Sequence, residues 1–132
     1  MLTILIIDKS SADSLIYSQW LSKFSMRVIH AENAEDGIVL SKTQLPDVII
    51  TDIEFPGMSG FQAIRQLKSS DLTKSIPIII LSDKLNPINQ TWGLRQGANF
   101  CLTKPIAENE LVSRIQTLLP GEEAYVGYAF QN

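Results

Sequence analysis

Leu2-Thr-Ile-Leu-Ile-Ile-Asp-Lys-Ser-Ser11 is the stretch whose reading decides the fold. Its first six residues are almost continuously apolar and rich in β-branched side chains, which suits a strand buried on both faces. Asp8 and Lys9 end the run, and Ser10 or Ser11 can cap a following helix. The same grammar recurs down the chain. Met26-Arg-Val-Ile29, Val48-Ile-Ile50 and Ile76-Pro-Ile-Ile-Ile-Leu81 are further apolar runs, with Asn99-Phe-Cys-Leu102 a weaker fifth.

Between the runs the apolar period becomes helical. Ile16, Tyr17, Trp20, Leu21 and Phe24 share one helical face. A second helix is expected over 34–45, capped by Asn33 and stopped by Pro46. A third covers 59–68 and buries Phe61, Ile64 and Leu67. A fourth covers 87–96 and ends at Gly97, and the last, over 107–118, turns Leu111, Ile115, Leu118 and Leu119 inward. Strand and helix alternate five times, which predicts a parallel sheet with right-handed crossovers and helices on both faces.

At 132 residues the chain fits one domain, over 1–119, with a tail over 120–132 that is expected to be disordered or to dock its aromatics on a neighbour. That tail is too short for a separate output domain. Eleven basic and 14 acidic side chains give a net charge of −3, which argues against broad nucleic-acid binding. A single cysteine, Cys101, excludes an internal disulfide, and with only His30 beside it the chain lacks the ligands of a zinc site. No run approaches the length of a membrane span and no secretory signal is visible, so a cytoplasmic location is expected.

Ligands of such sheets sit beyond the carboxyl ends of the strands, where strand order reverses. The residues expected there are Asp8 and Lys9, Asp52, Ser82 and Asp83, and Lys104. If the first and third runs are neighbours, Asp8 and Asp52 meet in one cleft, as hard oxygen donors that suit Mg²⁺. An accessible Asp can also attack phosphorus. Lys104, aimed by the turn at Pro105, can neutralise a phosphoryl oxygen, and Ser82 can donate its hydroxyl to the same group. Taken singly, Asp8 and Ser82 read as turn or cap residues and Lys104 as a solvated charge. Their coincidence on one rim carries the chemistry: phosphoryl transfer to a carboxylate.

Over residues 2–119 the chain resembles the receiver domain of two-component response regulators. The matching pieces are Ile4-Leu-Ile-Ile-Asp8, Asp47-Val-Ile-Ile-Thr-Asp-Ile-Glu-Phe-Pro-Gly-Met-Ser-Gly60, Ile76-Pro-Ile-Ile-Ile-Leu-Ser82 and Gly97-Ala-Asn-Phe-Cys-Leu-Thr-Lys-Pro105. The resemblance implies a doubly wound, flavodoxin-like α/β sandwich of three layers around a five-stranded parallel sheet, order 2-1-3-4-5. It implies Asp52 as phosphoacceptor, Ser82 as switch hydroxyl and Lys104 as the lysine that touches the phosphoryl group. Asp8, Asp52 and the backbone carbonyl of Glu54 would hold Mg²⁺. The donor would be a histidine kinase or phosphotransfer protein. A downstream protein would be met through the face of the fourth helix, fifth strand and fifth helix, where homodimer formation is also open. A turnover enzyme is not implied. Asp52-Ile-Glu54 superficially resembles the Asp-x-Asp of haloacid-dehalogenase-type hydrolases, but it follows the third run and the chain has no room for their cap.

Three positions depart from the family pattern. Lys9 stands where a second acid normally ligates the metal. A unit charge about 4 Å away, at a dielectric of ~20, is felt as roughly 4 kcal/mol before screening. Lys9 is therefore expected to weaken Mg²⁺ binding, or to pair with Asp52 in the metal's place, which would leave a phosphorylation-independent interaction module. Asp83 replaces a small residue beside Ser82 and is expected to hinder an incoming donor, with Lys84 pairing Glu54 or Asp83 across the mouth. Cys101 replaces the aromatic whose rotamer accompanies the family's switch, unless Phe100 takes that part. Trp92, on the fourth helix, fits either helix packing or an exposed contact.

Overall fold

Five strands, Leu2–Ile7 (β1), Met26–Ala31 (β2), Val48–Thr51 (β3), Ile78–Ser82 (β4) and Phe100–Thr103 (β5), alternate with helices Ser11–Ser22 (α1), Ala34–Gln44 (α2), Gly60–Ser69 (α3), Pro87–Gln96 (α4) and Glu108–Thr117 (α5). The computed structural model describes residues 1–119; the expected tail over 120–132 lies outside the described residues. All strand pairs are parallel, in the order β2-β1-β3-β4-β5. The fold is the doubly wound, flavodoxin-like sandwich expected above. Among the described residues no helix is long and apolar enough to cross a membrane.

The side-chain period of a strand is two, so each apolar run feeds two cores. Ile4 and Ile6, Val48 and Ile50, Ile79 and Leu81 pack with Tyr17 and Leu21 of α1 and Leu111, Val112 and Ile115 of α5. Leu5 and Ile7, Ile49, Ile78 and Ile80 pack on the other side with Ile38 of α2 and Ala63, Ile64 and Leu67 of α3. That double burial is why the runs show so little polar alternation.

Helix starts follow the capping residues. Ser10, Asn33, Ser59 and Asn86 each accept a backbone N–H from the first turn, and Ser59 with Gln62 closes a capping box. Two expectations change. Ile16, placed inward by spacing, is 43% exposed, whereas Ser14 is buried. The inward line of α1 is Ser14, Tyr17 and Leu21, and Trp20 and Phe24 flank it half-buried. The fourth strand begins at Ile78 rather than Ile76: Pro77 has no N–H to pair, and the Ile78 N–H donates to the side chain of Asn99.

Candidate functional site

The register of the central strands builds the site. Ile7 lies beside Thr51, so Asp8 and Asp52, the next residues of β1 and β3, emerge together where the strand order reverses. The Asp52 N–H donates to the Ile7 carbonyl at 2.9 Å, and the Asp8 N–H to that of Ala31 at 2.9 Å. His30 Nε2 donates to the Asp8 carbonyl at 2.9 Å, so this histidine braces the rim through the backbone. On the far side Ser82 lies beside Thr103, and the Lys104 N–H donates to the Ser82 carbonyl at 2.9 Å.

The segment after Asp52 is pinned from three directions. Thr51 Oγ1 donates to the Asp52 carbonyl, and the Gly60 N–H at the start of α3 donates to the Ile53 carbonyl. A Cβ on Gly60 would stand 2.1 Å from the Asp52 carbonyl oxygen, so the close approach of α3 requires glycine there. The turn passes through Gly57 at φ +84°, and the neighbouring Met58 N–H donates to Glu35 Oε1 of α2.

Lys104 reaches into this rim and gathers three carboxylates. Its Nζ lies 2.7 Å from Asp8 Oδ2, 2.9 Å from Asp13 Oδ2 and 3.3 Å from Asp52 Oδ2. An ammonium has three protons, and each has an acceptor. The Lys104 side chain is 12% exposed, those of Asp8 and Asp52 4% and 6%, and that of Asp13 37%. The other oxygens of the buried pair are also engaged, Asp8 Oδ1 by the Ser10 N–H and Asp52 Oδ1 by the Ile53 N–H. Burial works to lower the Lys104 pKa. Its hydrogen bonds to Asp8 and Asp13 and the charges of Asp8 and Asp52 outweigh that and hold it above the ordinary lysine value. Next to the cluster the Tyr17 phenol is pushed up to about 12, chiefly by burial. Asp13, Asp8 and Asp52 add to the rise, and Lys104 opposes it.

Of the expected residues, Asp8, Asp52 and Lys104 are brought together. Ser82 stands fully buried at the same rim, but its Oγ accepts the Lys84 N–H at 3.0 Å and is not bonded to Asp52 or Lys104. Asp83 is exposed and joins Asp13, Lys104 and Ile106 in lining a cleft of about 430 Å³ between α1 and the β5–α5 loop. Two expectations about charge are corrected. The Lys9 ammonium lies 3.8 Å from Glu54 Oε1, both side chains more than half exposed, rather than on Asp52, whose lysine is Lys104. Lys84 is exposed, and among the described residues no ion pair joins it to Glu54 or Asp83; Lys9 already holds Glu54.

Phe100 does not stand in for the missing aromatic. Adjacent strand residues face opposite sides of a sheet. Phe100 packs on the α5 side, with the Arg114 guanidinium 5.1 Å over its ring, whereas Cys101 faces α4. There a Cβ on Gly93 would come within 3.1 Å of Cys101 Sγ and 2.5 Å of Ile80 Cδ1, so α4 lies too close for a ring. Burial raises the Cys101 thiol pKa. Trp92 is 44% exposed and, with Ile88 and Pro87, lines a shallow groove on α4.

Sequence reasoning missed Asp13. Three residues after the capping Ser10, it reads as an ordinary first-turn acid that complements the helix dipole. Its distance from residue 104 along the chain hides the contact.

Residues 4–116 match the family described as "Response regulator receiver domain". Protein PilH of Pseudomonas aeruginosa is 41% identical over 121 residues, covering 92% of this chain and all of PilH. The phosphate regulon transcriptional regulatory protein PhoB of the same species is 35% identical over 117 residues, which are 89% of this chain and 51% of PhoB. Among solved structures, the chemotaxis protein CheY4 of Vibrio cholerae superposes with a TM-score of 0.84 at 26% identity, covering 90% of this chain and 99% of that one.

Proposed function

The chain belongs to the response regulator receiver family, and from that premise we propose that Asp52 accepts a phosphoryl group from a histidine kinase or phosphotransfer protein. Receiver domains are signalling modules and not turnover enzymes, so the change at Asp52 is itself the output. The observation that carries the reading is the placement of a buried ammonium on the carboxylate at the sheet's reversal point, Lys104 Nζ to Asp52 Oδ2.

In the reaction an Asp52 carboxylate oxygen attacks phosphorus in line with the leaving nitrogen. The P–O bond forms as the donor's P–N bond breaks, and the imidazole nitrogen keeps the bonding pair and takes up a proton. Charge builds on the equatorial phosphoryl oxygens. Lys104 is held fully protonated and within reach to balance that charge. The brace of Thr51, Ile53 and Gly60 holds Asp52 against recoil, so little reorganisation is left for the reactive step. Ser82 Oγ only accepts from the Lys84 N–H, so its own hydroxyl proton would be the one donated to the phosphoryl group.

Receiver domains generally use Mg²⁺ here, and the donor set fits a hard cation. Asp8 and Asp52 are buried carboxylates with one neighbour on each oxygen, which leaves a lone pair free on each. With the backbone carbonyl of Glu54 they would hold the ion. Among the described residues no group of three or more His, Cys, Asp or Glu side chains is arranged to hold a metal ion by itself. When bound, the cation supplies further neutralisation of phosphoryl charge. Lys9 is drawn outward to Glu54, so it weakens this site through the screened field of an exposed charge without occupying it.

The proposed output is protein contact through α4, β5 and α5, in a chain acting alone in the cytoplasm. Exposed Ile88 and Trp92 on α4 support that face as the surface for a downstream protein or a second copy. The test is incubation with a small acyl phosphate and Mg²⁺, read by intact mass. A phosphoryl adduct is expected on the wild type and on Lys9→Asp, and none on Asp52→Asn. Its absence from the wild type with acyl phosphate and phosphoramidate alike overturns the reading.

A further inference from the structure

Lys104 has three partners, and they are not equivalent. Asp52 is the most distant at 3.3 Å, Asp8 is closest and almost wholly buried, and Asp13 is close but open to water. If Asp52 gains a phosphoryl group, its oxygens offer Lys104 a stronger anionic acceptor, yet no proton of the ammonium is spare. The proton now on Asp52 Oδ2 can pass to one phosphoryl oxygen, and a second contact to the phosphoryl group has to come from Asp8 or Asp13. Releasing Asp8 would leave a carboxylate uncompensated inside the protein, a heavy penalty. Releasing Asp13 leaves a carboxylate at the wall of an open cleft, where water takes over its hydrogen bonds.

We propose that Asp13 is a positioning residue for phosphoryl transfer: it parks Lys104 in the resting state, competes with the phosphoryl group for it, and is released into the α1–loop cleft when Asp52 is phosphorylated. The inference rests on Asp52 being the acceptor. It also places a local change of charge on a defined surface. The freed Asp13 carboxylate stands beside Tyr17, Ile106 and Asp83, so the cleft gains an unpaired anion on phosphorylation. The step forms and breaks no covalent bond beyond the transfer already described. One hydrogen bond of the ammonium moves from Asp13 Oδ2 to a phosphoryl oxygen.

Removing the competitor has a sign that a purely structural role does not predict. Asp13→Asn should form the adduct about three- to fivefold faster than wild type with acyl phosphate and Mg²⁺, the scale of one partly exposed charged contact. Asp13→Glu, which keeps the charge, should stay near the wild-type rate. Should Asn be poorly tolerated in the first turn, Asp13→Ser suits a helix start and removes the same charge. The second readout needs no phosphorylation. The ¹⁵N signal of the Lys104 ammonium should be sharp and slowly exchanging in the wild type and broadened in Asp13→Asn. An ammonium signal unchanged by Asp13→Asn overturns the parking contact. Adduct on wild type and Asp13→Asn at equal rates, or a slower Asp13→Asn, overturns the release while leaving Asp52 as acceptor. No adduct on the wild type with acyl phosphate or phosphoramidate overturns the acceptor reading and the release with it.

Discussion

Two lysines serve the same rim of the sheet and meet opposite fates. Lys104 is nearly enclosed and bonded by three carboxylates, whereas Lys9 lies more than half in solvent with one carboxylate oxygen 3.8 Å away. Charge alone does not separate them, since each is an ammonium at the rim that holds Asp8, Lys9 as its neighbour in the chain and Lys104 at 2.7 Å from its Oδ2. Burial does. Water screens the Lys9–Glu54 pair, and its two flexible side chains have little to gain by holding one geometry. Lys104 has left water and cannot do without its partners, nor they without it. The difference teaches that the lysine which looked disruptive in the sequence is peripheral, and that the site's electrostatics are organised from the far edge, by β5.

The largest expected effect breaks the buried side of this comparison. Lys104→Met strands Asp8 and Asp52 inside the protein and should cost about 3–5 kcal/mol in urea unfolding at neutral pH. A cost under ~1 kcal/mol would mean that the cluster is as screened as the Lys9 pair. Next comes Tyr17, which senses the buried carboxylates and has no counterpart beside Lys9. Below pH 10 its phenol is neutral in both folded and unfolded chains. As pH rises from 10.0 through about 12, the unfolded chain ionises first and stability falls. The loss should be on the order of 2 kcal/mol and should vanish in Tyr17→Phe, with tyrosinate absorbance following the late transition. Asp13→Asn is intermediate, since its carboxylate is partly solvated: about 0.5–1.5 kcal/mol by thermal melting. The smallest effect is Lys9→Ala, which should lie within ~0–1 kcal/mol and shrink further with added salt.

Most of the fold was legible because its signals are local. Ser10 and Asn33 cap helices through groups within three residues, and Gly97 ends α4 at φ +118°. The apolar runs declared a two-sided sheet because each residue type responds to its own burial. Errors arose where a helix face had to be aimed. Ile16 and Ser14 exchange places because α1 leans its small side chain on the sheet and leaves the larger one at the cleft. Trp92 could not be assigned by spacing, since α4 seats itself through Gly93, and the ring is left half in water.

Of the site, the sequence by itself determined which groups stand at the strand ends: Asp8, Asp52, Ser82 and Lys104 follow apolar runs, and a parallel sheet delivers run ends to one rim. Whether Phe100 could stand in for an aromatic at position 101 was left open by the sequence, and the packing of Phe100 toward α5 and Cys101 toward α4 answered it. Only the tertiary structure decided the pairings among charges. Asp13 bonds Lys104 across 91 residues, and Lys9 turns to Glu54 and away from Asp52. The physical reason is range. Backbone propensity and capping act over a few residues, whereas the partner of a charge depends on which long side chains share a low-dielectric space after the layers have packed.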